Sequence, residues 1–276
     1  MTPLADGGGL ELRLRPASAE PARGTAPGDA PGTARGDAPG AEARSGPRAS
    51  AAGAWTVPLD RIAYADVELV AREAATVSAR LNIVEGDLEI FVTPAGGRSV
   101  RAAWPWPVDS APRSVELAAG ECLVASVPLL SSGSAPLFPA PGRYELVARF
   151  AARPGVTLES NPVTLVRTAP GDTAIAAGLG DRDVLQSLLG AGVIGAASAQ
   201  LEKLADSDDV GTAAAANLAL GRTEALAGAA DDPAVARAVA ALLPPGATGP
   251  DERRDAVAPR ASARDAAALS GRPLAE

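Results

Sequence analysis

The feature that most constrains this chain is a two-residue rhythm between positions 55 and 168. Apolar and polar residues alternate there, and Gly, Pro, Asn or Asp interrupts the alternation about every ten residues. "RIAYADVELVA" (61–71) alternates Ile62 and Tyr64, then Val67 and Leu69. "TVSARLNIV" (76–84) sets Val77, Ala79, Leu81 and Ile83 on one side. "LEIFVTP" (88–94) keeps Leu88, Ile90 and Val92 in phase, and "PGRYELVARF" (141–150) does the same with Tyr144, Leu146, Ala148 and Phe150. Strand side chains alternate between faces, whereas a helix repeats about every 3.6 residues. No helical period occurs before residue 172. The window is therefore expected to fold as about seven or eight short antiparallel strands in two layers, with the large apolar residues between them.

Turn residues suggest the local pairing. "EGD" (85–87) is expected to join 76–84 to 88–94 as a hairpin. Gly120 is expected to do the same inside "SVELAAGECLVASVPLL" (114–130), and "GVTLESNPVTLVR" (155–167) supplies a last edge with a break at Asn161-Pro162. "GDLEIFVTPAGG", "LAAGECLVASVPL", "FPAPGRYELVARF" and "LESNPVTL" resemble successive strands of bacterial immunoglobulin-like domains. In those domains a PGRYEL-type strand precedes an SNPVTL-type final strand. The resemblance spans residues 60–168. It implies a fold and carries no active site.

The flanks read differently. "LELRLR" (10–15) alternates like a strand, and the resemblance makes it the first one. Residues 16–54 are Pro, Gly and Ala with balanced charge, and "GTAPGDAP" (24–31) is nearly repeated in "GTARGDAP" (32–39). Nothing large is available there to offset chain entropy, so 16–54 is expected to be disordered. The tripeptide Arg35-Gly36-Asp37 belongs to that repeat and is read as composition rather than as an adhesion motif.

From residue 171 the period becomes helical. Asp181 precedes a helix with Val184, Leu185, Leu188 and Leu189 on one face. Residues 196–205 and 209–227 give two more. Asp232-Pro233 opens another, presenting Val235, Val239 and Leu242, and "PPG" stops it. Residues 196–227 faintly resemble a tetratricopeptide-type helical hairpin, without its large aromatic positions. The tail 246–276 is expected to be disordered. The expected class is multidomain β plus α: an antiparallel immunoglobulin-like β-sandwich (55–168) with a small C-terminal helical appendage (171–245).

Composition removes several chemistries. The 276 residues include no histidine, so imidazole triads and His-ligated zinc or haem are excluded. A single cysteine, Cys122, permits no intrachain disulfide, and its place in "ECLVASV" reads as a buried apolar thiol. Residues 171–276 hold nine basic and fifteen acidic side chains, against a phosphate-binding role, so no nucleic acid partner is expected. No apolar run is long enough for a transmembrane segment. "MTPLADGGGL" shows no signal peptide, so a cytoplasmic location is the default; a misplaced start codon would make it extracytoplasmic.

Five features bear on chemistry. Gly190-x-Gly192-x-x-Gly195 has the spacing of a dinucleotide loop, with Asp206, Asp208 and Asp209 near the distance of its acidic partner. That loop needs a preceding strand, and "DRDVLQSLL" reads as a helix, so the glycines are taken as a helix end and joint. "DSDDVG" (206–211) begins like a calcium loop but has Val210 and Asn217 where donors are needed. "WPWP" (104–107) is the one aromatic concentration. Trp104 and Trp106, with Arg101 and Arg113 near in sequence, are the candidate ligand-binding residues. Catalytic carboxylate pairs could be drawn among Glu85, Asp87 and Glu89, but Glu85 and Asp87 straddle a hairpin turn and are expected to be solvated. Lys203 is expected on an exposed helix face. No cofactor and no metal is expected. The reading is a non-catalytic binding or scaffolding protein, with an unidentified protein or glycan partner. The rivals are a nucleotide-cofactor enzyme at Gly190–Gly195 and a carbohydrate-binding module at Trp104 and Trp106.

Overall fold

The computed structural model describes residues 9–17, 55–106, 111–133, 135–227, 229 and 231–242. The expected disorder of 16–54 and of 246–276 lies outside these residues, apart from Pro16 and Ala17. The described strands are β1 (Leu10–Pro16), β2 (Trp55–Pro58), β3 (Ala63–Ala71), β4 (Ala75–Ser78), β5 (Leu88–Pro94), β6 (Val100–Arg101), β7 (Ser114–Leu117), β8 (Cys122–Leu129), β9 (Gly142–Arg153), β10 (Val156–Glu159) and β11 (Val163–Thr168). The helices are α1 (Thr173–Gly180), α2 (Arg182–Gln186), α3 (Ser198–Ala205), α4 (Val210–Ala219), α5 (Thr223–Ala227) and α6 (Pro233–Leu242). The fold is thus β followed by α.

One sheet runs β1-β3-β8 and the other β2-β11-β9-β5-β6, with β10 also on β9. All pairs are antiparallel except β2 with β11, which is parallel. The small β4–β7 pair continues the first sheet. Its register, Ala75↔Leu117 to Ser78↔Ser114, carries on without slippage from Ala63↔Leu129 and Val70↔Cys122. A long ribbon therefore runs from 63 to 78 against 114 to 129, interrupted where Gly120 turns at φ 87.

This pairing corrects both expected hairpins. Residues 76–78 pair with β7 rather than with β5, and β5 pairs with β9 and β6. The alternation was real, but alternation does not say which sheet a strand joins. Residues 79–87 carry the chain from one sheet to the other. The Asn82 side chain accepts from the backbone of Val84 and Glu85, both at 2.9 Å, which shapes that passage as an Asn turn. Cys122 is also corrected: it is exposed. The β8 register puts Cys122 and Val124 on the outer face and leaves Val127 and Leu129 buried. Burial of the thiol's surroundings and the adjacent Glu68 push its pKa up.

Both sheets feed one core. Leu14, Leu69, Leu88, Ile90, Leu146, Phe150 and Leu165 are all less than 2% exposed. Full burial of such a side chain contributes roughly 1.5–3 kcal/mol. Asn161, at the β10–β11 break, bonds both the N–H and the C=O of Leu14 at 3.2 Å, tying β1 to the opposite sheet.

A second core belongs to the helices: Val184, Leu185, Leu188, Leu189, Leu201 and Leu204, closed by Ala214, Ala215 and Ala216. Small alanines let α4 approach its neighbours closely. Asp172, Asp181 and Asp209 cap α1, α2 and α4 by accepting backbone N–H bonds. The expected helix over 209–227 is two, because Gly221 adopts φ 72 and its N–H turns back to Leu218. Tyr64 of β3, Ile62 just before that strand and Leu130 just after β8 are members of this second core. The helices therefore pack on the end of the β region where β3 starts and β8 and β11 end.

Candidate functional site

The expected ligand-binding residues have separate partners. Trp104 is half-buried against the helical core, and Trp106 Nε1 donates to the Gln186 carbonyl at 3.4 Å. Both indoles thus join the β region to the helices. Arg101 is exposed and pairs with Glu89 at 2.6 Å. Arg113 pairs with Glu85 at 2.8 Å.

At the glycine triplet, α2 runs into a π-helical turn (Ser187–Ala191) that ends with Gly190 at φ 97. The segment before the glycines is helical, where a dinucleotide loop needs a strand. A Cβ at Gly195 would collide with Asp183 Oδ2. The space beside this loop therefore holds a carboxylate, the wrong charge for a pyrophosphate. Ser187 Oγ donates to the Asp183 carbonyl at 2.7 Å and accepts from Ile194 N at 3.1 Å, fastening the joint. In "DSDD", Asp209 caps α4 and accepts from Thr212 Oγ1 at 2.7 Å. Among the described residues, no three His, Cys, Asp or Glu side chains are grouped closely enough to share a metal ion.

Two concavities mark the two ends of the β region. The larger, about 620 Å³, lies at the end away from the helices. Thr76, Ser78 and Ser114 line one side, and Ala151, Arg153 and Gly155 of the β9–β10 turn line another. Asp87 and Arg113 complete it. Asp87 is clamped by the Arg80 guanidinium and by Ser78 Oγ at 2.6 Å. Arg80 holds the Asp87 carboxyl below the usual carboxylate range. Glu85 is mostly buried between Arg113 and Asn82 Nδ2. The expectation of solvated carboxylates at a hairpin turn is therefore corrected. The passage between sheets folds them inward, and each meets an arginine. Asp87, held ionised in this way, is poorly suited to donate a proton near neutral pH. Arg153 lines the cleft with no ionic or hydrogen-bonded partner among the described residues.

The smaller concavity, about 100 Å³, lies between the β region and α1, walled by Leu59, Ile62, Phe138 and Leu179. Arg167 reaches into its lining and is only 5% exposed. Its Nη2 donates to the Arg61 carbonyl at 2.9 Å, and its guanidinium lies 5.1 Å from the Phe138 ring centroid. Burial pushes its pKa down to about 10. Sequence reasoning did not single out Arg167, yet "VTLVR" places it in phase with the core residue Leu165. A cation at an inward strand position was the available signal.

No protein-family model matches the chain, and no curated protein matches it. Among solved structures, a Listeria innocua beta-glucosidase in complex with glucose is similar at 12% identity and TM-score 0.26, over 58% of this chain. The beta-glucosidase EmGH1 from Erythrobacter marinus is similar at 18% identity and TM-score 0.20, over 40% of this chain. The chain spans 16% and 14% of the length of those two proteins. Overlap this slight carries no functional information.

Proposed function

We propose that the chain is a non-catalytic binding protein built on an immunoglobulin-like sandwich, and that its binding surface is the open cleft beside Arg113 and Arg153. Two features support the fold. Such domains place A, B and E strands in one sheet against G, F and C in the other. The orders β1-β3-β8 and β2-β11-β9-β5 match this, with β10–β11 as the last strand. Many of these domains also carry a tyrosine near the start of strand F whose hydroxyl bonds back to the backbone just upstream. Tyr144 stands at the start of β9 and donates to the Ala140 carbonyl at 2.7 Å.

The observation that carries the function is the position of the cleft. It lies where the β4–β5 and β9–β10 connections converge, the equivalent of the loop end that recognises ligands in variable domains. Its hydroxyls and backbone suit an extended peptide. The Arg153 guanidinium adds a cation with no ionic partner among the described residues, so the favoured ligand carries an acidic side chain.

Selection of a random peptide library against the full chain tests this. Acidic peptides should be enriched, and both Arg153→Glu and the cleft-filling Ala151→Trp should abolish their binding. Binders indifferent to both substitutions, or no binders, would overturn the cleft assignment.

A further inference from the structure

At the other end of the β region, we propose that the pocket around Arg167 is a binding site for a small monocarboxylate. The proposal stands apart from the cleft, since the two concavities share no lining residue.

Arg167 is a buried cation that forms no ion pair among the described residues. Of its guanidinium nitrogens only Nη2 has a hydrogen-bond partner, and Nε and Nη1 are buried with none. A desolvated guanidinium with idle donors is costly, and such groups are ordinarily paired. Asp60 is close enough for its charge to act on Arg167, but no hydrogen bond or ion pair joins them: its Oδ2 accepts from the Asp172 N–H at 2.7 Å, and its Oδ1 is buried without a hydrogen-bond partner. Asp209, which lies 3.8 Å from Arg61, is already engaged by the α4 N-terminus and Thr212. Among the described residues, therefore, no hydrogen-bonded acceptor meets the Nε–H and Nη1–H groups.

Size and lining narrow the ligand. A space of about 100 Å³ holds a few small heavy-atom groups and no sugar or nucleotide. A carboxylate matches the planar donor array of a guanidinium, and charge-assisted bonds of this kind are among the stronger ones. Beyond Arg167 the lining combines Arg61 with the apolar side chains of Leu59, Ile62, Leu129, Leu130 and Leu179. These apolar side chains suit a short aliphatic tail. Arg61 is paired with Asp209 at 3.8 Å, so a phosphate dianion would meet one guanidinium with idle donors, fewer than its charge calls for.

Titration calorimetry and thermal unfolding of the full chain with acetate, propionate and phosphate, at matched ionic strength and pH 7, test the proposal. Propionate should bind saturably and raise Tm, acetate should do so more weakly, and phosphate should not. Arg167→Met should weaken propionate binding by roughly tenfold or more. Because that variant could misfold, Ala176→Leu provides a second test. It fills the pocket from α1, keeps the arginine, and should also abolish binding. The proposal is overturned if wild type shows no saturable carboxylate response, if phosphate binds as well as propionate, or if the response survives in a folded variant of either kind.

Discussion

The two ends of the β region solve the same problem in opposite ways. At each, strands stop and backbone groups lose their partners. At the helical end a second apolar core covers the stop. Ile62 and Tyr64 enter it, the Ile62 N–H donates to Thr212 Oγ1 at 3.1 Å, and that hydroxyl donates onward to Asp209. At the open end no helix arrives, and arginine–carboxylate pairs hold the connections: Arg80 with Asp87 and Arg113 with Glu85. Buried apolar area stabilises strongly and freezes a surface. Ion pairs near water stabilise weakly and leave a surface available for contact. The contrast leaves the covered end room for no more than the small Arg167 pocket and makes the open end the place to look for a macromolecular partner.

Four substitutions test that contrast, in decreasing order of expected effect. Tyr64→Ala empties a site shared by strands and helices. It should cost about 3–5 kcal/mol and lower Tm by roughly 6–20 °C, read by calorimetry. A much smaller shift would mean that the helices contribute little to the fold. Thr212→Val keeps the shape but strands the Ile62 N–H. The expected loss is about 1–3 kcal/mol in urea unfolding with an unchanged m-value.

At the open end, Asp87→Asn should cost about 1 kcal/mol at pH 7. Its pH signature is more telling. The folded pKa of Asp87 is depressed, so its contribution is present above the unfolded value of about 4 and is lost as pH falls through the folded value. Wild type should therefore lose more stability than the variant on acidification below about pH 4. Equal slopes would contradict the Arg80 clamp. Arg101→Ala removes an exposed partner of Glu89 and should change stability by less than about 0.5 kcal/mol.

The covered end was partly legible in the sequence. Capping aspartates and leucine spacing located the helices after Asp181 and Asp232. α1 escaped notice because "TAIAAGLG" is apolar without a clear period. The expectation over 209–227 overlooked Gly221, whose lack of a Cβ permits the backbone turn that separates α4 from α5. At the open end the alternation gave strands but not partners. Residues 76–78 and 88–94 looked like a hairpin because both are in phase around "EGD". Only the tertiary register shows that they belong to different sheets. The tryptophans drew attention because aromatics are scarce, and they serve the helical junction. Arg167 drew none, because a charge inside "VTLVR" is conspicuous only when the strand's inward phase is read through to its end.

Residue-resolved amide hydrogen exchange on the full chain tests the central contrast most directly. The account predicts that the Ile62 amide and the α4 amides exchange as slowly as those of β3 and β9, through global unfolding, while residues 80–86 and Gly155 exchange rapidly. Fast exchange at Ile62 and α4 alongside slow exchange in β3 would contradict it, because the helices would then open independently of the strands they cover.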